Sequence, residues 1–213
     1  MTIWDKIYKN YQKGGLAWAT LDSNNVDEEF KQFLENKNFA LKNVLDIGCG
    51  AGKYLAFLKK RGFETFGIDS SETSIKMTHE VLGEKEKVKL ANMFDYNIEP
   101  DKYDLIISVA TIHHGFKKDI NRLIGLIYKS LLPGGWIFIT IPSLESRTTW
   151  HTFKEDQEVG PGTYTPMTGP EKGLPHSFYS QEEVKEVFSD FKNLKINLDK
   201  KGRWLIEGEK CFT

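Results

Sequence analysis

A glycine-rich turn between a buried strand and a helix is the feature that most constrains the fold of this chain. Val44–Ile47 is an apolar run interrupted only by Asp46, and glycines follow at positions 48, 50 and 52. A helical pattern of apolar residues begins directly after Gly52. Glycines at such positions let the backbone turn sharply and let a ligand approach without meeting a Cβ atom. The segment predicts a strand, a ligand-binding turn and a helix, although a glycine motif alone also occurs in turns that bind nothing.

Two acidic residues indicate which ligand this turn accepts. Asp46 stands two residues before the first glycine, and Asp69 follows the next apolar strand. The dinucleotide pattern requires a third glycine where this chain has Lys53, and Asp46 would repel a pyrophosphate. A carboxylate at position 46 would instead attract an ammonium group, and Asp69 can accept hydrogen bonds from both hydroxyls of a ribose. These residues favour S-adenosylmethionine (SAM) over NAD; the other interpretation of Asp69 is a cap for the helix that begins near Ser71.

Strands and helices alternate along the middle of the chain. Apolar runs predict strands at Val44–Ile47, Glu64–Ile68, Val88–Leu90, Asp104–Val109, Trp136–Ile141, Leu194–Leu198 and Trp204–Glu209. Helical spacing predicts helices at Val26–Asn36, Gly52–Arg61, Ser71–Leu82, Asp119–Leu132 and Gln181–Phe188. We expect the fourth of these helices to stop at a turn formed by Pro133–Gly135. The alternation implies a parallel sheet with helices on both faces.

Two segments do not follow this alternation. Residues 1–25 are predicted to form a short helix and a loop, which serve either as an N-terminal lid over the ligand or as a hydrophobic anchor. The segment is rich in aromatic residues, namely Trp4, Tyr8, Tyr11 and Trp18. Residues 142–179 contain five of the seven prolines. Because structureless loops of this length are usually functional, we expect 142–179 to shape the pocket for a second substrate.

Five segments, in this order, resemble a class I SAM-dependent methyltransferase: VLDIGCGAGKYL, FGIDSSE, KLANMFDYN, YDLIISVATIHHG and LLPGGWIFIT. The N-terminal Trp-Asp-x-x-Tyr segment and the tail GLPHSFYSQEEVKEVFSDF are similar to small bacterial methyltransferases related to the tellurite- and thiopurine-modifying groups. The IHHG segment is similar to tRNA wobble-uridine methyltransferases. With this resemblance we expect an α/β, Rossmann-like fold over a single domain, residues 1–213. Its seven-stranded, mostly parallel sheet would have helices on both faces and an antiparallel last strand.

The resemblance also implies a set of SAM-binding residues. Asp46, Gly48 and Gly50 would hold the methionyl part of the cofactor. Asp69 would bind the ribose, and Asn92 stands where the family commonly has an acidic residue for the adenine amino group. The complete predicted set is Asp46, Gly48, Cys49, Gly50, Asp69, Ser70, Asn92, Met93, Val109 and Ala110. After methyl transfer the same site would hold S-adenosylhomocysteine.

Three histidines are candidates for a base that takes a proton from the methyl acceptor. His113 and His114 follow the fourth strand, at the carboxyl edge where open α/β sheets bind ligands, and His176 follows the proline-rich segment. A base is needed only when the acceptor must lose a proton near neutral pH. No pair of histidines has helical i, i+4 spacing with a carboxylate, so the sequence predicts no metal site.

Charge and composition limit the classes of partner. The formal net charge is -1, which gives no basic footprint, so we expect a small-molecule methyl acceptor and no nucleic-acid or membrane partner. An aromatic content of 13% within an apolar fraction of 39% is sufficient for a hydrophobic core. We expect a cytoplasmic monomer or homodimer, since no export signal is recognisable. The alternatives are a tRNA-modifying methyltransferase and a SAM-binding partner protein without activity.

Overall fold

A computed structural model describes residues 1–15, 25–83, 87–149 and 155–211. The helices of this part of the chain are α1 (Ile3–Gln12), α2 (Glu28–Glu35), α3 (Lys53–Lys59), α4 (Glu72–Leu82), α5 (Lys117–Ser130) and α6 (Gln181–Val187). Its strands are β1 (Asn43–Ile47), β2 (Glu64–Asp69), β3 (Val88–Leu90), β4 (Tyr103–Ser108), β5 (Leu131–Pro142), β6 (Asp156–Gly160), β7 (Thr163–Pro166), β8 (His176–Ser177), β9 (Lys192–Leu198) and β10 (Arg203–Glu209). None of the described helices is both long enough and apolar enough to span a lipid bilayer.

Seven of the strands form one sheet in the order β3-β2-β1-β4-β5-β10-β9. Strand β1 pairs in parallel with β2 and β4, and β2 pairs in parallel with β3. Strand β10 runs antiparallel to both of its neighbours, β5 and β9. The predicted Rossmann-like sheet of seven strands, mostly parallel with an antiparallel last strand, is therefore confirmed.

The chain divides into two compact units. The first comprises Met1–Asn97 and Tyr103–Ile107, and the second comprises Ile98–Lys102 and Ser108–Thr213. In the first unit, β1 is buried along Val44–Ile47, which explains the apolar run that precedes the glycine turn. In the second unit, Trp204–Ile206 of β10 is buried, which explains the apolar residues of that strand.

The predicted turn at Pro133–Gly135 is wrong. Helix α5 ends at Ser130, and these three residues lie inside β5. The reason is a pairing with the end of the chain: the Gly134 amide donates to the Lys210 carbonyl at 2.9 Å, and the Lys210 amide donates to the Gly135 carbonyl at 2.8 Å. Because Gly134 has a φ of 76°, glycine lets the strand continue past the proline.

The expectation of a structureless loop over residues 142–179 is also wrong. Strands β6, β7 and β8 lie in this segment and form a second, antiparallel sheet in that order. A short 3₁₀ helix, Glu145–Thr149, precedes them. The hairpin between β6 and β7 turns at Pro161 and Gly162, and Gly162 has a φ of 64°. A proline-glycine pair between two short runs is a hairpin signal, which the high proline content of the segment obscured.

The carboxylate of Asp104 fixes the start of β1. This residue of β4 is 5% exposed, and its two oxygens accept hydrogen bonds from the amides of Leu41 at 3.1 Å and Asn43 at 2.9 Å. A buried charged acceptor with two donors is costly to remove, because the amides lose their partner. Asp104 thereby determines where β1 begins and, through the strand, where Asp46 lies.

We predict that Asp104→Ala lowers the free energy of unfolding by about 1–3 kcal/mol, because two amide donors lose a charged acceptor. Urea unfolding followed by circular dichroism measures this change. Glu99→Ala is the matched control, since its ion pair with Lys102 involves a carboxylate whose side chain is 58% exposed. The control should change stability by less than about 1 kcal/mol. Equal effects of the two substitutions would contradict the role given to Asp104.

Candidate functional site

The turn after β1 is built from glycines in the left-handed region. Gly48, Gly50 and Gly52 have φ values of 77°, 55° and 80°, which residues with a side chain adopt only at a cost. The amides of Gly48 and Cys49 both donate to the carbonyl of Ile68, at 2.8 and 3.0 Å. These hydrogen bonds fold the turn, called here the glycine loop (Gly48–Gly52), back onto the end of β2.

The carboxylate of Asp69 is hydrogen-bonded to the glycine loop. One of its carboxylate oxygens accepts the amide of Gly50 at 2.9 Å, and the other accepts the amide of Ser71 at 2.8 Å. Burial raises the pKa of Asp69, while the hydrogen bonds from Ser71 and Gly50 act in the opposite direction. The cap of α4 is Ser71, whose hydroxyl accepts the amide of Ser74. Asp69 thus connects the loop to the start of α4. The sequence indicated the contact with α4 as a capping role, but it gave no sign of the hydrogen bond from Gly50.

Asp46 is a buried carboxyl group with a raised pKa. It is 3% exposed, and burial, followed by the negative charge of Asp69, raises its pKa to about 8. In the described part of the chain, no hydrogen bond or cation acts on the pKa of Asp46 in the opposite direction. An opposite charge placed near such a group stabilises the carboxylate. The glycine loop therefore lies beside two carboxyl groups whose electrostatics favour a cationic ligand.

Helix α1 brings a tyrosine hydroxyl to the same loop. Asp5 is 5% exposed and accepts hydrogen bonds from the amide and the hydroxyl of Thr73, at 3.0 and 2.7 Å, which fastens α1 to the start of α4. One turn further on, the Tyr8 hydroxyl lies so close to Gly50 that a Cβ atom there would overlap it. Burial, then the charge of Asp69, raises the pKa of Tyr8, so its hydroxyl stays protonated. Sequence reasoning placed Tyr8 in a lid but missed Asp5, which positions it.

Two further residues shape the loop. The hydroxyl of Thr78 donates to the carbonyl of Gly50 at 2.8 Å, and a Cβ atom at Gly52 would lie 2.8 Å from the Thr78 methyl carbon. Cys49 directs its side chain into a buried cluster with Leu55 and Ile75, and burial raises the pKa of its thiol. Cys49, one of the predicted binding residues, can therefore contact a ligand only through its backbone. Thr78 carried no signal in the sequence.

The residues predicted to surround the adenine follow β3. Asn92 is exposed and its side-chain oxygen accepts the amide of Phe94 at 3.0 Å, while Met93 is half-buried. The amide of Ala91 donates to the carbonyl of Asp69 at 2.9 Å, which links this turn to β2. Asn92 and Met93 are thus brought to the strand end that carries Asp69. Ser70 follows Asp69 directly, and its carbonyl accepts the hydroxyl of Thr2 at 3.3 Å.

Val109 and Ala110 directly follow β4. Ala110 has a φ of 53°, a conformation that residues other than glycine seldom adopt. Its amide donates to the hydroxyl of Thr140 at 2.7 Å, and Val109 accepts the hydroxyl of Thr111 at 3.2 Å. These hydrogen bonds hold the backbone in a turn at the carboxyl end of β4, where ligands bind in open α/β sheets.

The second unit brings the three predicted histidines together. His113, His114 and His176 are 2%, 9% and 1% exposed. The ring centroid of His114 lies 4.0 Å from that of His113 and 4.7 Å from that of His176. Burial, followed by the neighbouring imidazoles, lowers the pKa of His113 and His114 well below the usual value. These two rings are therefore neutral at pH 7. The sequence suggested each histidine separately and gave no sign that they form one cluster.

Comparison with known proteins identifies the family. A family model described as a methyltransferase domain matches residues 21–194. Phosphoethanolamine N-methyltransferase 1 of Triticum aestivum is 26% identical over 148 residues, which are 63% of this chain and 30% of that protein. A tRNA (carboxymethyluridine(34)-5-O)-methyltransferase of Arabidopsis thaliana is 29% identical over 157 residues, 68% of this chain and 36% of that protein. The chain thus spans about a third of the length of these relatives.

A similar fold is found among solved structures. The crystal structure of a SAM-dependent methyltransferase from Clostridium acetobutylicum superposes with a TM-score of 0.66 at 15% sequence identity. The match covers 97% of this chain and 97% of that one. At this identity, the similarity supports the fold alone.

We predict that Asp46→Asn makes folding stability less dependent on pH. Because the pKa of Asp46 is raised to about 8, against about 3.9 in an unfolded chain, the folded protein keeps a proton that the unfolded chain has lost. That difference lowers stability as pH rises from about 4 to about 8, and asparagine cannot titrate.

The measurement is the urea midpoint of both proteins, without added ligand, across this pH range. Asp46→Asn should be more stable than the unaltered protein near pH 8, by a margin that narrows toward about pH 4. Asp95→Asn, at an exposed carboxylate, is the control and should follow the unaltered protein. Parallel curves for Asp46→Asn and the unaltered protein would contradict the raised pKa.

Proposed function

We propose, from the premise that this chain belongs to the methyltransferase-domain family, that it transfers a methyl group from SAM to an oxygen, nitrogen or sulfur atom of a small molecule. The observation that carries the choice of cofactor is the pair of carboxyl groups beside the glycine loop, Asp46 and Asp69. SAM carries an ammonium and a sulfonium, whereas NAD would bring a negatively charged pyrophosphate to the same loop.

The residues present fit the parts of SAM. Asp46, which is buried and has a pKa raised to about 8, would pair with the methionyl ammonium. Asp69 would accept hydrogen bonds from the ribose hydroxyls with the lone pairs that Gly50 and Ser71 leave available. The Tyr8 hydroxyl, which contacts Gly50, would donate to the methionyl carboxylate. The remaining predicted contacts, to the adenine and the methionine backbone, fall to Ser70, Asn92, Met93, Val109 and Ala110.

Methyl transfer requires little acid or base catalysis from the protein. SAM supplies a methyl carbon already activated by its positively charged sulfur. The chain's own contribution is to hold donor and acceptor in line and close together. A general base enters only for acceptors that must lose a proton near neutral pH, so the proposal requires none of the histidines to act as one.

A small acceptor is favoured by charge and by the additional sheet. The formal net charge of -1 offers no overall attraction for a polyanion. Strands β6, β7 and β8, which interrupt the alternation of strands and helices, would form part of the acceptor pocket, and α1 would cover the donor. Phosphoethanolamine, the substrate named for the wheat relative, is an acceptor of this class.

A tRNA substrate is the second candidate. It is favoured by the IHHG segment and by the similarity to the Arabidopsis tRNA methyltransferase over 68% of this chain. Binding to tRNA would be dominated by phosphate contacts and would weaken steeply with salt. Binding to a small acceptor would not depend on salt in this way.

The cofactor assignment predicts the effect of one substitution on SAM affinity. Asp69→Ala should weaken binding by on the order of 1.5–3 kcal/mol, about 10- to 150-fold, because a charged acceptor of hydrogen bonds is lost. Isothermal titration calorimetry with SAM, S-adenosylhomocysteine and NAD gives the affinities. Glu64→Ala, at the exposed first residue of the same strand, is the matched control. Equal SAM affinity in both variants, or binding of NAD by the unaltered protein, would refute the assignment.

The acceptor class is tested with SAM carrying a labelled methyl group. We expect the label to enter a small-molecule extract, and Gly50→Val to abolish transfer, since the new side chain would displace Tyr8 and occupy the loop. A parallel reaction contains unfractionated tRNA at low and high salt. Label in tRNA that disappears at high salt would favour the second candidate. Label in neither pool, despite SAM binding, would favour a partner protein without activity.

A further inference from the structure

A cleft of about 340 Å³ lies in the first unit, at the amino ends of β1 and β2. Lys42, directly before β1, and Phe63, directly before β2, are among the residues that line it. Because the two strands run parallel, Asp46 and Asp69 stand toward their opposite ends. The five residues of β1 span roughly 17 Å. The cleft is therefore separate from the glycine loop, and its volume suits one small molecule.

Positive charge is concentrated in this cleft, called here the basic cleft. Four of the described residues that line it are cations, and Glu35 is the only acidic residue among them. The cations are Lys31, Lys37, Lys42 and Arg61. The whole chain, by contrast, has a formal net charge of -1. Like charges gathered at a concave surface focus the electrostatic potential and raise the local concentration of the opposite ion, so the basic cleft favours an anionic ligand.

The backbone holds Lys42 in place at the edge of the cleft. Asp104 accepts the amides on either side of it, from Leu41 at 3.1 Å and from Asn43 at 2.9 Å. The Lys42 carbonyl accepts the amide of Glu64 at 2.9 Å. Lys42 has a φ of 58°, in the left-handed region that residues with a side chain seldom adopt. Glycine would adopt this conformation without strain, so the backbone geometry gives no reason for a lysine here.

The guanidinium of Arg61 is also positioned by its neighbours. Its Cζ atom lies 3.6 Å from the centroid of the Phe57 ring, and Nη1 donates to the Phe57 carbonyl at 3.3 Å. A guanidinium has several further N–H donors in one plane, which match the geometry of a phosphate group. Lys31 forms an ion pair with Glu28, a side chain that is 66% exposed. Since exposed pairs contribute little, a bound anion can replace Glu28 as the partner of Lys31.

Two aromatic rings add apolar surface to the basic cleft. Phe63 is 8% exposed, Phe39 is half-buried, and their rings meet edge to face with centroids 5.2 Å apart. Aromatic rings offer a large apolar area and pack favourably against other rings. Sites for small organic molecules combine such surface with a few polar groups that fix the orientation of the ligand. An inorganic anion would use the cations alone, whereas an aromatic anion would use the rings as well.

We propose that the basic cleft binds a small phosphate ester that carries an aromatic ring, the chemical class to which nucleoside monophosphates belong. A phosphate monoester carries about 1.5–2 negative charges at pH 7, which matches the surplus of cations better than a single carboxylate does. The phosphate would contact Lys42 and Arg61, and the ring would pack against Phe39. The basic cleft lies at the opposite edge of the sheet from the glycine loop, so the inference does not rest on the proposed function.

Calorimetric titration of the unaltered protein with uridine 5′-monophosphate (UMP) tests the proposal, with excess S-adenosylhomocysteine present to occupy the cofactor site. UMP should bind about tenfold more tightly than uridine or inorganic phosphate, since stacking of the base and contact with the phosphate both contribute. Absence of UMP binding, even where single-stranded RNA binds, would overturn the proposal, and so would equal affinity for UMP and either fragment. A titration with S-adenosylhomocysteine alone reports separately on the cofactor site.

Variants then locate the bound UMP. Lys42→Gly, which removes the side chain at a φ that glycine adopts readily, and Arg61→Ala should each weaken UMP binding by about tenfold, because a charged partner of the phosphate is lost. Phe39→Leu should weaken the binding of UMP and leave that of inorganic phosphate unchanged. Lys118→Ala, at an exposed lysine of α5 in the second unit, is the matched control and should bind UMP normally. Unchanged UMP affinity in Lys42→Gly and Arg61→Ala would also overturn the proposal.

Discussion

Two buried carboxyl groups beside one glycine turn are the electrostatic constraint on which the candidate site depends. Asp46 has a pKa raised to about 8 by burial and by Asp69, so the chain keeps a proton, or an unfavourable charge, in its interior at neutral pH. A core built only for stability would place an apolar residue at this position. Selection tolerates such a cost where function requires it. This unfavourable energy indicates the kind of ligand, since a ligand that places a positive charge beside Asp46 would compensate the buried carboxylate.

The rest of the first unit can be understood as support for that turn. Asp69 holds the Gly50 amide, Thr78 holds the Gly50 carbonyl, and Asp5 fastens α1 so that Tyr8 reaches the same glycine. Each contact is an ordinary hydrogen bond or close packing, with a modest individual contribution to stability. Together they fix the position of one peptide unit from three directions. A ligand that binds this turn meets a backbone which is already ordered, so binding costs less conformational entropy.

Sequence reasoning predicted the elements whose signal is local. Strand β1, the glycine turn and Asp69 were recognisable because strand periodicity and glycine placement act over a few residues. The pairing of Gly134 with Lys210 was not predictable in this way, since it depends on residues that are distant in sequence. The role of Asp5 was missed for the same reason, because its partner Thr73 lies 68 residues away. The hairpin of β6 and β7 was missed differently, because many prolines were interpreted as evidence of a loop.

The three neighbouring histidines, His113, His114 and His176, make the same point for function. His113 and His114 follow a strand end, where a catalytic base is expected, and that context suggested a base rather than a ligand. The structure adds two facts that sequence cannot supply: the three rings are buried against one another, and Nδ1 of His114 and of His176 each lies within hydrogen-bond distance of a backbone carbonyl. A base must alternate between protonation states, whereas burial lowers the pKa of His113 and His114 and keeps both rings neutral at pH 7. Burial therefore weakens the case for His113 or His114 as a general base.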